Sequence, residues 1–330
     1  MPAPFDSLRV LEAAYSAEVD EAAWLRRIVS EFEPLERGGG VFSASFRIQG
    51  RRMTRLEIAA TPGVLMPPAT ELRAFWMNSP FPLVRTWFEP VPPVDTMLAR
   101  LRRTGATVDE QPVQLFSGLG VADMVAILGL DPAGHGALVA LPATSRVRLS
   151  PRAQHRLRLV SAHLAAARRL RASVNPAVEA VLDPSGHVQH AVGKARARAA
   201  REGLAAAVIR AEHARGRLRR EEPDAAIALW RGLVDGRWSL VDHVESDGRR
   251  VILARRNPTG VRDPRALSAR ERDVLAYVAQ GHGNKEVAYA LGLSKTTIAA
   301  HLRRAVAKLG LRTRRDAIRL FETARGQGRS

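Results

Sequence analysis

The chain has 330 residues, 46% hydrophobic and 25% charged, which is ordinary globular material for two or three domains and excludes general disorder. It contains no cysteine, so a disulfide framework and Cys-based zinc or iron–sulfur sites are excluded. The net charge of +18 points to a polyanionic partner only where it is concentrated, because 47 of the 51 basic residues are Arg, a skew that a GC-rich genome also produces.

Positions 1–145 carry 13 basic and 16 acidic residues, 146–173 carry 8 basic and none acidic, 174–261 carry 15 and 11, and 262–330 carry 15 and 6. Half of the excess charge, +9, therefore lies on the last fifth of the chain. That asymmetry fits a tail domain that binds a polyanion. No run approaches the ~20 apolar residues of a membrane span, and MPAPFDSLRVLEAA lacks the basic-then-apolar pattern of a signal peptide. The expectation is a soluble, cytoplasmic protein with no membrane partner.

Apolar spacing predicts a helix over 6–30, ended before Gly38-Gly39-Gly40. VFSASFRI (41–48) and TRLEIAA (54–60) alternate and predict a hairpin around Gly50. The Pro-rich 62–95 predicts short helices, one at ELRAFWM, and a further helix is expected over 95–104. VADMVAILGL and GALVALP are strands about the turn Asp131-Pro132-Ala133-Gly134. Ser150-Pro151 then opens a long basic helix reaching Ala172.

A second, shorter set follows. AVEAVLD and HVQHAVG form a hairpin, 194–219 is helical, another helix starts near Pro223, and WSLVDHVE and RRVILAR form a last hairpin. LDPAGHG (130–136) echoes LDPSGHV (182–188), which reads as shared turn chemistry and not as a repeat, because the flanks differ. His187 and His190 lie three apart on a strand and face opposite ways, which argues against a metal pair. The order helix, two strands, irregular middle, hairpin and long exit helix over 5–172 resembles the GAF family of small-molecule sensory domains. The region 174–256 resembles a PAS-like unit more loosely. These resemblances imply a small-molecule ligand in the N-terminal region; Trp76, Trp87, Trp230 and Trp238 read as core or interface residues, although a sensory pocket could use Trp76 and Trp87.

The tail over 262–325 holds four short helices. Ser268 and Glu271 form a capping box, the first helix stops at Gly281-His282-Gly283, Asn284 caps the second, and Gly292 ends it. Ser294 caps the third, and Thr313 caps the fourth with Asp316 three residues on. Tight turns of this kind make a helix-turn-helix. On the third helix Ile298, Leu302, Ala305 and Leu309 share one sector. Thr296, Ala300, Arg303, Arg304 and Ala307 line the other side, with Lys295 and Ala299 at its edge. No carboxylate occurs from Ser294 to Gly310. Small side chains let a helix lie deep in the major groove, and cations at its margin meet phosphate or guanine.

LSARERDVLAYVAQGHGNKEVAYALGLSKTTIAAHLRRAVAKLGLRTRRDAI closely resembles the LuxR-type helix-turn-helix of bacterial transcription regulators, through L-S-x-R-E, G-x-x-N-K-E, L-x-L-S-x-x-T, H-L and K-L-G. The resemblance implies double-stranded DNA as partner, phosphate contact by Lys285, and a recognition helix whose Arg303 and Ala300 face base edges. With the residue reading, the DNA-facing set is Lys285, Lys295, Thr296, Ala299, Ala300, Arg303 and Arg304. The last helix should pair two subunits through Ala317, Leu320 and Phe321, and RNA polymerase is admitted as a further partner. Ala299 departs from the Lys usual in the family. The fold class expected is therefore multidomain, with α+β GAF/PAS-like sensory regions before an all-α helix-turn-helix domain.

No catalytic constellation, cofactor motif or metal site is evident. Positions 1–145 contain no Lys, which speaks against the phospho-receiver version of the family. Two other readings stay open. A DNA-processing enzyme would need a nucleophile among Tyr15, Tyr277, Tyr289 or a Ser. A protein-interaction adaptor that has lost DNA binding is favoured only by Ala299.

Overall fold

The structure, a computed structural model, describes residues 5–16, 20–49, 52–88, 92–105, 111–130, 134–172, 177–230, 233–234, 238–244, 248–256, 268–308 and 313–318. The chain divides into two compact units, one of Met1–Ala14, Glu18–Leu130 and Gly134–Ala165, the other of Tyr15–Ala17, Asp131–Ala133 and Ala166–Ser330.

The first unit contains α1 (Ser7–Ala14), α2 (Glu21–Phe32), β1 (Phe42–Gln49), β2 (Arg52–Ala60), α3 (Ala69–Asn78), α4 (Phe81–Phe88), β3 (Val94–Thr96), α5 (Met97–Thr104), α6 (Gln111–Ser117), β4 (Asp123–Leu130) and β5 (His135–Ala143). α7 (Pro151–Ala172) follows, and the boundary between units falls inside it. The five strands pair antiparallel in the order β2-β1-β5-β4-β3.

Both faces of this sheet are covered, and the alternation in β1 shows how. Phe42, Ala44, Phe46 and Ile48 enter an apolar core shared with α3 to α6. Ser43 and Ser45 face the other way, where their hydroxyls donate to the Leu25 carbonyl (3.1 Å) and to Glu21 (2.5 Å) of α2. Small hydroxyl side chains thus let the helix approach closely, and both of these hydroxyls are paired. α7 packs on the same layer. Its Ser161 donates to the Leu128 carbonyl at 2.7 Å, and a Cβ at Gly129 would lie 2.5 Å from the Ser161 carbonyl oxygen. Only glycine permits that approach.

Two expectations are corrected here. The helix expected over 6–30 is two helices, because Asp20 starts a new one by accepting from the Ala23 amide at 2.7 Å. The helix expected from 95 begins at Met97, after the short strand β3 and the cap Thr96.

The second unit holds β6 (Val178–Leu182), β7 (Val188–Ala191), α8 (Arg198–Arg215), α9 (Leu218–Glu221), α10 (Pro223–Leu229), β8 (Leu233–Val234), β9 (Trp238–Val244) and β10 (Arg250–Arg256), then α11 (Ala269–Ala279), α12 (Asn284–Leu291) and α13 (Lys295–Lys308). Its sheet runs β7-β6-β10-β9-β8. Counted from each first strand, that is the same order as in the first unit. α8 buries Leu204, Ala207 and Val208 against Leu182, Trp238, Leu240 and Ile252. The LDPAGHG and LDPSGHV turns join the fourth and fifth strands of one sheet but the first and second of the other. The two segments therefore stand at different places in their sheets and are no repeat; 131–133 lie outside the described residues, and in the second segment Asp183 accepts from the Ser185 amide (2.9 Å) and the His187 amide (3.0 Å).

No helix among the described residues is long and apolar enough to cross a membrane. The positive charge is also less exposed than its total suggests. Arg168 and Arg169 of α7 are buried, and Arg215 and Arg250 are tied to Glu212 and Asp242.

His163 on α7 gives the first unit an acid sensitivity. Burial pushes its pKa down to about 3, against an ordinary value of 6.5. Between those values the unfolded chain takes up a proton that the folded chain does not. The neutral imidazole thus costs nothing above about pH 6.5, and stability falls as pH drops below that value. The urea midpoint should fall between about pH 7 and about pH 5, and His163→Leu should flatten that fall. An unchanged slope in the variant would assign the effect to other groups.

Candidate nucleic-acid interface

The three helices after 268 are started and stopped by local hydrogen bonds. Ser268 and Glu271 form the expected capping box, with the Glu271 amide donating to the Ser268 hydroxyl (3.3 Å) and the Ser268 amide donating to the Glu271 carboxylate (2.7 Å). α11 ends at Gly281 (φ 84°) and α12 at Gly292 (φ 65°). In both, an amide one residue beyond the glycine returns to a carbonyl five positions back, His282 to Tyr277 at 3.1 Å and Leu293 to Ala288 at 2.8 Å. This paired closure needs a left-handed residue, which explains both glycines. The start of α12 differs from expectation. Gly283 occupies the cap, its amide held by Glu286 at 2.9 Å, while the Asn284 side chain accepts from Arg314 at 3.1 Å.

Ser294 caps α13, accepting from the Thr297 amide at 3.0 Å. Fourteen residues make α13 about 21 Å long. Ile298, Leu302 and Ala305 are buried, and α13 packs against α11 and α12, which bury Val274, Leu275, Val278, Val287 and Leu291. Lys295, Thr296, Ala299, Arg303 and Arg304 are exposed and Ala300 is half-buried. Lys285 is exposed in the first turn of α12. The structure thus leaves every residue of the expected DNA-facing set at least partly accessible, on a surface of α12 and α13 with a cationic, small-residue character. His301 adds no charge to it, since burial first and the Arg304 guanidinium second push its pKa down.

Thr313 caps the last helical stretch, accepting from the Asp316 amide at 3.1 Å. Arg314 ties that stretch to the turn before α12, donating to Asn284 and to the His282 carbonyl (3.3 Å). Ala317 is buried inside the chain, so its methyl packs within the domain and not on an open face. Leu309, Leu320 and Phe321 lie outside the described residues.

Sequence reasoning missed how this helical domain is anchored in the second unit. The Tyr289 hydroxyl donates to the Ile227 carbonyl at the end of α10. Asp273 is buried, with Arg270 at 3.2 Å, and burial pushes its carboxyl pKa up while the Arg169, Arg270 and Arg272 charges pull it back. A carboxylate at a buried position of α11 was the available signal for this charge cluster. Tyr15 and Tyr277 are buried and Tyr289 is engaged, so the tyrosines offer no exposed nucleophile.

Residues 265–321 match the family described as bacterial regulatory proteins, luxR family. Over 61 residues the chain is 44% identical to the HTH-type transcriptional activator RamA of Corynebacterium glutamicum, covering 18% of this chain and 22% of that protein. It is 43% identical over 60 residues to the nitrate/nitrite response regulator protein NarP of Escherichia coli, covering 18% and 28%. The match spans about a quarter of the length of these curated relatives. A crystal structure of Escherichia coli SdiA aligns with 94% of this chain and 92% of its own at 11% identity and a TM-score of 0.30, and a likeness at that score carries no argument. The C-terminal region is a LuxR-family helix-turn-helix domain.

Proposed function

We propose that the chain is a sequence-specific DNA-binding transcription regulator whose N-terminal α+β regions act as sensory input. In this reading the domains are a GAF-like region over 5–172, a PAS-like region over 174–256 and the helix-turn-helix over 262–325. The observation that carries the output is the face of α13. Lys295, Thr296, Ala299, Arg303 and Arg304 are accessible while Ile298, Leu302 and Ala305 hold the helix to its domain. A solvated helix face in a mixed-charge protein carries carboxylates, and this one has none. α13 enters the major groove, Arg303 and Ala300 read base edges, and Lys285 and Arg304 neutralise phosphates. The same strand order in two successive sheets supports paired input regions, each with its own core. Two chains bind together, with Leu320 and Phe321 at the two-fold contact.

The test is selection of duplexes from a random pool with the full chain, followed by affinity measurement across salt. Inverted half-sites about one helical turn apart are expected, with a log–log salt slope of roughly −4 to −8 for a dimer. A slope near zero, or no enrichment at low salt, would instead identify a protein-interaction adaptor, the reading that exposed Ala299 favours.

A further inference from the structure

The first unit has a partly open apolar cavity of about 60 Å³ between its sheet and the helices α3 to α6. Phe42, Leu56, Trp76, Met97 and Phe116 contribute to its wall, and so do two groups that do not belong in an oily core, Arg100 and the indole of Trp87. Arg100 is only 4% exposed. Its Nη1 donates to the carbonyls of Thr86 (3.2 Å) and Trp87 (2.9 Å) at the end of α4, which is the negative pole of that helix. Its Nη2 has no hydrogen-bond partner, and neither has the Trp87 Nε1. Burial pushes the guanidinium pKa down to about 10, so the group stays cationic at neutral pH. Among the described residues no carboxylate is paired with it.

A buried cation held only by two carbonyls is poorly compensated, and two idle donors on one apolar wall add to the deficit. Structural capping of α4 accounts for Nη1. It does not account for Nη2, the Trp87 N–H, or the cavity that both residues line. An anion with an apolar body would satisfy all three, because a carboxylate presents acceptor oxygens that match a guanidinium better than any neutral group does. Empty space of this size admits only a small body. We propose that this cavity is a binding site for a small apolar monocarboxylate, a short aliphatic acid, with Arg100 and Trp87 holding the carboxylate and the aromatic wall holding the body. This names the ligand class of the sensory input and rests on that reading of the first unit.

Trp76 and Trp87 report on the site directly, so intrinsic fluorescence of the full chain without DNA can follow titration with propionate, butyrate, propionamide and butyramide. At least one acid should bind about tenfold or more tightly than its own amide. Arg100→Met should remove that preference, and Arg100→Lys should restore part of it. Acid and amide binding equally, or neither acid binding at about 10 mM, overturns the proposal. The acid–amide comparison in the unaltered chain stands even where Arg100→Met fails to fold. Failure here leaves the DNA-binding reading untouched. An acid that binds at Arg100 without changing DNA affinity would keep this site and sink the sensory reading.

Discussion

Arg303→Ala should weaken binding to the selected DNA site by about 1–3 kcal/mol, roughly 5- to 150-fold, and should erase preference at the base pair it reads. The side chain is exposed on α13, one turn beyond Ala299 and Ala300, with buried Leu302 beside it fixing the helix rotation. Small neighbours leave room for close approach, so in the proposed reading its planar fork is expected to reach base edges and not the backbone alone. Competition between the selected site and scrambled duplex separates the two roles. A uniform loss with a salt slope reduced by about 1 would make Arg303 a phosphate contact. Unchanged affinity would remove it from the interface. Lys285→Ala is the natural control, because the proposed reading gives Lys285 a phosphate contact, whose loss should not alter preference.

What the sequence disclosed follows from where local chemistry is decisive. Ser268, Gly292, Ser294 and Thr313 declare helix ends by side-chain or left-handed backbone chemistry, and the structure has helices starting or stopping at each. Alternation in VFSASFRI and TRLEIAA declares strands, since the two faces of the first sheet have different neighbours. The elements that escaped are short ones. β3 is three residues long and β8 two, and neither has room to show a period. Their existence is settled by pairing with β4 and β9, which is tertiary information.

The site divides in the same way. The face of α13 was readable because helical spacing alone separates Ile298 and Leu302 from Arg303 and Thr296. The cavity was half readable through Trp76 and Trp87. Arg100 was overlooked, although it sits between Met97 and Leu101 on the buried stripe of α5, where an Arg is out of place. Counting it as one more basic residue in a chain rich in Arg hid it. The Tyr289 bond to Ile227 spans 62 positions, and no local pattern could announce it.

Asp123→Ala should be the most damaging single change to the first unit, and it bears directly on the cavity. Asp123 is fully buried, and its carboxylate joins three segments. One oxygen accepts from the Leu98 amide (3.1 Å) and the Met124 amide (2.9 Å), and the other from the Val147 amide (3.1 Å). The Leu98 bond holds the first turn of α5, the helix that carries Arg100. Alanine would leave the amides of Leu98 and Val147 buried without acceptors, at about 1–3 kcal/mol each, so a loss of roughly 2–6 kcal/mol is expected. Asparagine keeps one carbonyl oxygen but turns an N–H₂ toward an amide that needs an acceptor, so it should recover only part of this. Urea unfolding followed by tryptophan fluorescence checks both variants, and the same samples report whether acid binding at Arg100 survives in Asp123→Asn. A midpoint close to that of the unaltered chain would mean that water replaces the carboxylate, and that the start of α5 is held by Thr96 and its bond to the Ala99 amide at 3.2 Å.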